Sequence, residues 1–205
     1  MRTLGVITAR GGSKSIPKKN IATLAGKPLI AYTIEASLNS SLLTRTVVST
    51  DDDEIASTAR QFGGDVPFMR PTELAGDHSG SIEVVQHALS WLDQHDRQTF
   101  DYAMILQPTS PFRLAEDIDA ALQIALAKNA DSVMSMVEVV DFSPLKLKRI
   151  DQHGRIEPLF AEEGKTSARR QSEPSVYKRN AAIYLTRTSL IMKGELFGAN
   201  SFAHV

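Results

Sequence analysis

The segment Leu4-Gly5-Val6-Ile7, followed by Arg10-Gly11-Gly12-Ser13-Lys14-Ser15-Ile16-Pro17-Lys18-Lys19-Asn20, decides how the rest of the chain is read. The short apolar run predicts a buried strand over about residues 3–9. The loop after it carries four cations, Arg10, Lys14, Lys18 and Lys19, and no acid. Adjacent glycines allow a sharp turn and a close approach of backbone N–H groups to a ligand. A strand running into such a loop can cradle a phosphate, and it can equally be a solvated loop. Two named phosphate motifs are excluded by spacing. No Gly-Lys-Ser/Thr completes a Walker A loop, and G-x-G-x-x-G is absent.

Outward from this loop the pattern alternates. Ile30, Ile34 and Leu38 recur at helical spacing after Pro28. Residues 46–50 predict a second strand, and Asp51-Asp52-Asp53 leads into a helix over 54–62. Three acids there suit an N-cap and the helix dipole, or a ligand or metal at a strand's carboxyl end. Val66-Pro67-Phe68-Met69 is a short extended piece, and 70–80 is a polar loop. Ile82, Val85, Leu89 and Leu92 mark a helix, and 102–106 a buried strand that ends in Gln107-Pro108-Thr109-Ser110-Pro111. Ile118, Ala121, Leu122, Ala125 and Leu126 mark another helix, and 132–139 another strand.

Strand–helix alternation predicts an α/β fold with a parallel sheet covered on both faces. Such sheets bind ligands beyond the carboxyl ends of their strands, so the loops at 10–20, 51–53, 70–81 and 107–113 are expected to share one rim. After 139 the rhythm breaks. Residues 146–150 and 155–157 flank Asp151-Gln152-His153-Gly154 as a hairpin, a polar segment spans 161–175, and 181–185 returns as a strand. The segment 140–178 is therefore read as an arm inserted in a single domain spanning 1–205, and a natural place for oligomer contacts.

Composition narrows the partners. Net charge is −1 over 205 residues, with 42% hydrophobic and 23% charged content, so nothing pulls the whole chain toward nucleic acid or membrane. The cations are local. Residues 165–179 hold five against one acid, Glu173, and two basic patches on a near-neutral chain suit a small anionic ligand. Cysteine is absent, which excludes disulfides, thiolate metal sites and a cysteine nucleophile. The start lacks a signal-peptide core and no run is long enough to cross a bilayer, so a cytoplasmic protein is expected. The five histidines show no metal-ligand spacing, and no G-x-S-x-G elbow marks a serine hydrolase. Trp91 is read as packing beside the apolar stripe. Arg169-Arg170 reads as a solvated pair or as a carboxylate grip.

The motif from Ala9 to Asn20 resembles the opening motif of the CMP-acylneuraminate (sialic acid) synthetases and their cytidylyltransferase relatives. Matches follow in order at Gly26-Lys27-Pro28-Leu29, Val48-Ser49-Thr50-Asp51, Arg70-Pro71-Thr72-Glu73-Leu74-Ala75, Leu106-Gln107-Pro108-Thr109-Ser110-Pro111, and Arg170-Gln171 with Asn180-Ala181-Ala182-Ile183-Tyr184. The resemblance implies a Rossmann-like, three-layer nucleotidyltransferase fold with a mainly parallel sheet and an inserted dimerisation arm, hence a homodimer. It implies transfer of CMP from CTP to a nine-carbon 2-keto sugar acid, N-acetylneuraminate or a relative such as legionaminate or pseudaminate, with release of pyrophosphate and help from Mg²⁺. Two rival readings are a nucleotidyltransferase with a different base or acceptor, and a nucleotide-binding module without turnover.

Residue by residue, the resemblance implies that Arg10, Lys14 and Lys19 hold the triphosphate, with Arg10 and Lys19 steadying the leaving charge. Gly11, Gly12 and Ser13 join them at the nucleotide, and Asn20 meets its sugar. Arg70, Ser79 and Ser81 surround cytosine and ribose. Gln107 orients the acceptor, and Arg170 and Lys178 meet its carboxylate. The chain departs from the family at Lys178, commonly Arg, at Ala181, commonly Gly, and at Ser15. Relatives carry a metal-binding Asp-x-Asp beyond the position of Val205, and the keto-deoxyoctulosonate synthetases have Asp where this chain has Thr109. The metal ligands are therefore unassigned, and the 205-residue form is expected to bind CTP with impaired turnover.

Overall fold

The computed structural model describes residues 1–13, 16–76, 79–140, 147–160 and 175–205. In chain order the elements are β1 (Thr3–Thr8), β2 (Thr23–Leu24), β3 (Lys27–Pro28), α1 (Leu29–Asn39), β4 (Arg45–Ser49), α2 (Asp53–Gln61), α3 (Ser81–Asp96), β5 (Tyr102–Leu106), α4 (Ala115–Lys128), β6 (Ser132–Glu138), β7 (Lys148–Ile150), β8 (Ile156–Pro158), β9 (Tyr177–Arg187), α5 (Thr188–Ile191) and β10 (Ser201–His204). Contacts divide these into two units, one of Met1–Ser135 with Ala181–His204 and one of Met136–Asn180 with Val205.

The first unit is built on a six-stranded sheet of order β10-β6-β9-β5-β1-β4. β1 lies parallel to both β4 and β5, β10 lies parallel to β6, and β9 runs antiparallel to β5. The strands read as continuous apolar runs because both faces are covered. Leu4 and Val6 of β1 pack with Ala103 and Ile105 of β5 against Val85, Ala88 and Leu92 of α3. The alternate residues, Ile7, Met104 and Leu106, join Ile30 and Ile34 of α1, Ile55 of α2 and Ile118 and Leu122 of α4 on the other face. The result is the expected three-layer α/β arrangement, and each fully buried Leu or Ile contributes about 1.5–3 kcal/mol.

Two stripe residues depart from expectation. Leu38 and Leu126 are 57% and 54% exposed. Both lie in the last turns of their helices, where the smaller Ala36 and Ala125 take the core contact. Trp91 packs as read, tilted against Phe68 and stacked on His95. The strand at β10 was not anticipated, and β9 is longer than the 181–185 core read from the sequence.

The joint between α1 and β4 is pinned by one carboxylate. Asp119 of α4 accepts from the Ser40 and Ser41 hydroxyls and from the Ser41 and Leu42 N–H groups. Burial pushes this carboxyl up, but the four donors together outweigh it and hold the group below its ordinary value. A depressed folded value means stability that is present above the unfolded value of about 3.9 and lost as pH falls through the folded one. Asp119→Asn is expected to cost about 1 kcal/mol near neutral pH. In urea unfolding followed from pH 7 downward, the gap to wild type should close only in acid. A gap independent of pH would refute this role.

The second unit contains the β7–β8 hairpin, antiparallel, with Ile150 opposite Ile156. Asp151 Oδ1 accepts from the N–H groups of His153 and Arg155 at 2.8 and 2.9 Å, closing the turn that the sequence predicts.

Candidate active site

Because β1 is flanked by two parallel neighbours, three strands deliver their carboxyl ends to one edge. A cleft of about 430 Å³ opens there. Three loops contribute to it, and each is held by specific bonds.

The first loop follows β1. The Ala9 N–H donates to the Ser49 carbonyl at 3.0 Å and extends the β1–β4 ladder by one step. The Gly11 N–H donates to Asp51 Oδ1 at 3.0 Å. A Cβ on Gly11 would sit 2.7 Å from Asp52 Oδ2 and 2.9 Å from Asp52 Cβ, so close approach to the helix cap, rather than a glycine-only turn, requires this residue. The left-handed residue is instead Lys18, at φ 49°, whose ammonium pairs with Glu54. Asn20 is buried, and its Nδ2 donates to the Arg10 carbonyl at 2.9 Å. Arg10 Nη1 donates to the Gly76 carbonyl at 2.9 Å, which ties the first loop to the second. Arg10, Ser13, Lys19 and Asn20 line the cleft, and Gly11 and Gly12 do not. Lys14 lies outside the described residues.

Two acids of the triplet make hydrogen bonds within the protein, and the third, Asp53, stands in the first turn of α2. Asp52 caps α2, its Oδ1 accepting from the N–H groups of Glu54 and Ile55 at 2.9 and 3.0 Å, and Asp51 holds Gly11. The helix-cap reading of this triplet therefore stands, with an added anchoring role for Asp51.

The second loop is delivered by 65–70, which runs beside β4. Val48 N–H donates to Asp65 O and Arg70 N–H to Thr50 O, both at 2.7 Å. Arg70 is 6% exposed. Its Nε donates to Ser49 Oγ at 3.0 Å and its Nη2 to Ser49 O at 2.5 Å. Burial pushes its guanidinium down to about 10, with the Arg10 cation adding to this and Asp51 opposing it. Ser79, whose Oγ donates to Glu73 O at 3.1 Å, reaches the cleft with Gly80 and Ser81 at the start of α3.

The third loop follows β5 and places Gln107, Pro108 and Thr109 on the cleft. Behind it lies Arg113, a buried residue that the sequence reading passed over. Nothing in its spacing signals it, since it sits two positions past Pro111 in a loop. Arg170 lies outside the described residues, and Lys178 belongs to the second unit.

Arg10, Lys19 and Arg70 thus meet at one cleft, and no carboxylate lines it among the described residues. That donor set suits an anion. It does not fit a protein-held Mg²⁺, which needs carboxylate or carbonyl oxygens, and no group of three metal-binding side chains occurs among the described residues.

Residues 4–198 match the family described as Cytidylyltransferase. The chain is 40% identical over 198 residues to a protein from Legionella pneumophila named CMP-N,N'-diacetyllegionaminic acid synthase, covering 96% of this chain and 83% of that protein. It is 45% identical over 118 residues to a Campylobacter jejuni protein named pseudaminic acid cytidylyltransferase, covering 58% of this chain and 50% of that one. Among solved structures, CMP:2-keto-3-deoxy-manno-octonic acid synthetase complexed with CTP superposes with a TM-score of 0.70 at 20% identity, over 95% of this chain and 77% of that one, a likeness of fold. With its match running almost from end to end, this chain belongs to the cytidylyltransferase family.

Proposed function

We propose that this chain transfers CMP from CTP to a nine-carbon 2-keto sugar acid of the sialic type, legionaminate or a close relative, and releases pyrophosphate. The observation that carries the proposal is the cleft itself. Three cations from two loops line it, with no carboxylate among the described lining residues, at the carboxyl ends of the parallel strands β1, β4 and β5. Resemblance to a legionaminate-activating protein over 96% of the chain supports the acceptor class.

In this reaction the anomeric hydroxyl oxygen attacks the α-phosphorus in line. The new oxygen–phosphorus bond forms, the bond to the β-phosphate oxygen breaks, and the hydroxyl proton passes to solvent. Such chemistry rests on positioning and on neutralising charge. Arg10 and Lys19 steady the departing pyrophosphate, Asn20, Arg70, Ser79 and Ser81 hold the nucleoside, and Gln107 faces the acceptor. Lys14, Arg170 and Lys178 retain the roles that the resemblance implies. Mg²⁺ would arrive with the CTP rather than on carboxylates of the cleft. No described helix is long and apolar enough to cross a membrane. A cytoplasmic enzyme drawing on free CTP is the setting we propose.

The test is CMP-sugar and pyrophosphate formation from CTP with a panel of 2-keto sugar acids, run against UTP, GTP and ATP. Product from CTP and a sialic-type acid is expected. Product with another nucleotide, or none with any acid, would overturn the proposal.

We also propose a homodimer. Ile150 and Ile156 stand opposite each other and are 72% and 69% exposed, and Leu147, Leu159 and Phe160 of the same unit are also exposed. An apolar hairpin of this kind is a liability unless covered. The double substitution Ile150→Asp and Ile156→Asp is expected to halve the mass seen by light scattering. An unchanged mass would move the interface elsewhere.

A further inference from the structure

We infer that Arg113 is a positioning residue that sets Gln107 for the sugar acid. The inference rests on the proposed reading of Gln107 as the acceptor contact. The loop from Gln107 to Leu114 has two prolines and few backbone bonds of its own: Ser110 N–H to Gln107 O at 3.2 Å and Arg113 N–H to Ser110 O at 3.3 Å. The Arg113 side chain supplies what the backbone lacks. Nη1 donates to Ala182 O at 2.6 Å and reaches Gln107 O at 3.4 Å, and Nη2 donates to Thr33 Oγ1 at 2.7 Å. One planar fork therefore ties α1, β9 and the peptide group of Gln107. Ala181, at φ 63°, interrupts the extended backbone of β9 one residue before the carbonyl that Arg113 grips.

The arrangement is costly, which is why it points beyond packing. Arg113 is 4% exposed, and its Nε has no partner among the described residues. None of its hydrogen bonds goes to a carboxylate. Burial pushes its guanidinium down to about 10 against the pull of Asp117. A Leu or Met would fill the same space without a buried charge. What neither could supply is a fixed peptide plane at Gln107, and with it the direction in which the amide leaves the backbone. An ammonium cannot replace the fork, because it lacks the planar spread that reaches acceptors on two sides.

The experiment compares wild type with Arg113→Met and Arg113→Lys. It measures the CTP dissociation constant by calorimetry without acceptor, and KM for the sugar acid at saturating CTP. It also follows the side-chain amide NMR signal of Gln107, assigned with Gln107→Asn. Both variants should bind CTP within about twofold of wild type while acceptor KM rises on the order of 10-fold, the scale of a small misplacement of a positioning group. The Gln107 amide signal should shift or broaden. Parallel loss of CTP and acceptor binding, or an unchanged acceptor KM with an unchanged Gln107 signal, would overturn the inference. If wild type activates no acid, the enzymatic reading fails, and the Gln107 signal alone decides Arg113. If Arg113→Met does not fold, Arg113→Lys carries the test.

Discussion

Arg10→Ala is expected to lower kcat/KM for CMP-sugar formation on the order of 100-fold or more, the scale seen when a donor to developing charge is removed. The argument is geometric. Arg10 follows β1, which is flanked by two parallel strands, its carbonyl is fixed by Asn20 and its guanidinium reaches Gly76 across the cleft. In the proposed reaction, charge gathers on the oxygen between the α- and β-phosphates as that bond breaks. A guanidinium already anchored at the cleft meets that charge without first being reorganised. The loss to folding should be small, since Arg10 is only partly buried and its bond to the Gly76 carbonyl contributes about 1 kcal/mol. Thermal unfolding should therefore shift by only a few degrees while activity collapses, and Arg10→Lys should recover part of the rate by keeping the charge. A kcat/KM within threefold of wild type would remove Arg10 from the chemistry.

Much of the architecture was legible because it follows from two periods. Buried strands such as Tyr102–Leu106 are unbroken apolar runs, and the helices after them carry apolar stripes at every third or fourth position. The alternation then implied the rim at which the cationic loop, the 70–81 loop and Gln107 do meet. What escaped was what depends on partners distant in sequence. The β10 strand, Ser-Phe-Ala-His, is half exposed at the sheet's edge and becomes a strand through pairing with β6. Asp51 looked like one of three interchangeable acids until its contact with Gly11, 40 residues away, distinguished it from the cap at Asp52. Arg113 meets Thr33 and Ala182 across 80 and 69 residues, separations at which no local pattern gives warning. The departure at Ala181 gains a physical meaning from the fold: its φ of 63° is one that glycine adopts freely and alanine at a cost of about 1–2 kcal/mol.

Arg70→Met should separate stability from binding at the cleft. Arg70 is buried, donates twice to Ser49, and is bonded to no carboxylate in the contacts seen. Removing it forfeits those two bonds. The Ser49 carbonyl, however, still accepts from Ala9 N–H, so it is not left orphaned. Removing it also relieves a buried cation whose value is pushed down to about 10 by its surroundings. The two effects oppose each other, as they do when buried ionic groups are replaced by apolar ones of similar volume. Folding stability in urea should therefore stay within about 1 kcal/mol of wild type. Affinity for CTP has no such compensation, because the lost guanidinium is one of three cations at the cleft and sits against its wall. A loss of about 2–3 kcal/mol, on the order of 30- to 150-fold in Kd, is expected from calorimetry. A charge retained in a place where folding gains little from it is best explained by a ligand that needs it. Should the urea midpoint fall steeply while CTP still binds, Arg70 would be a strut for the β4 edge, and the nucleoside would have to be held by the serines at the start of α3.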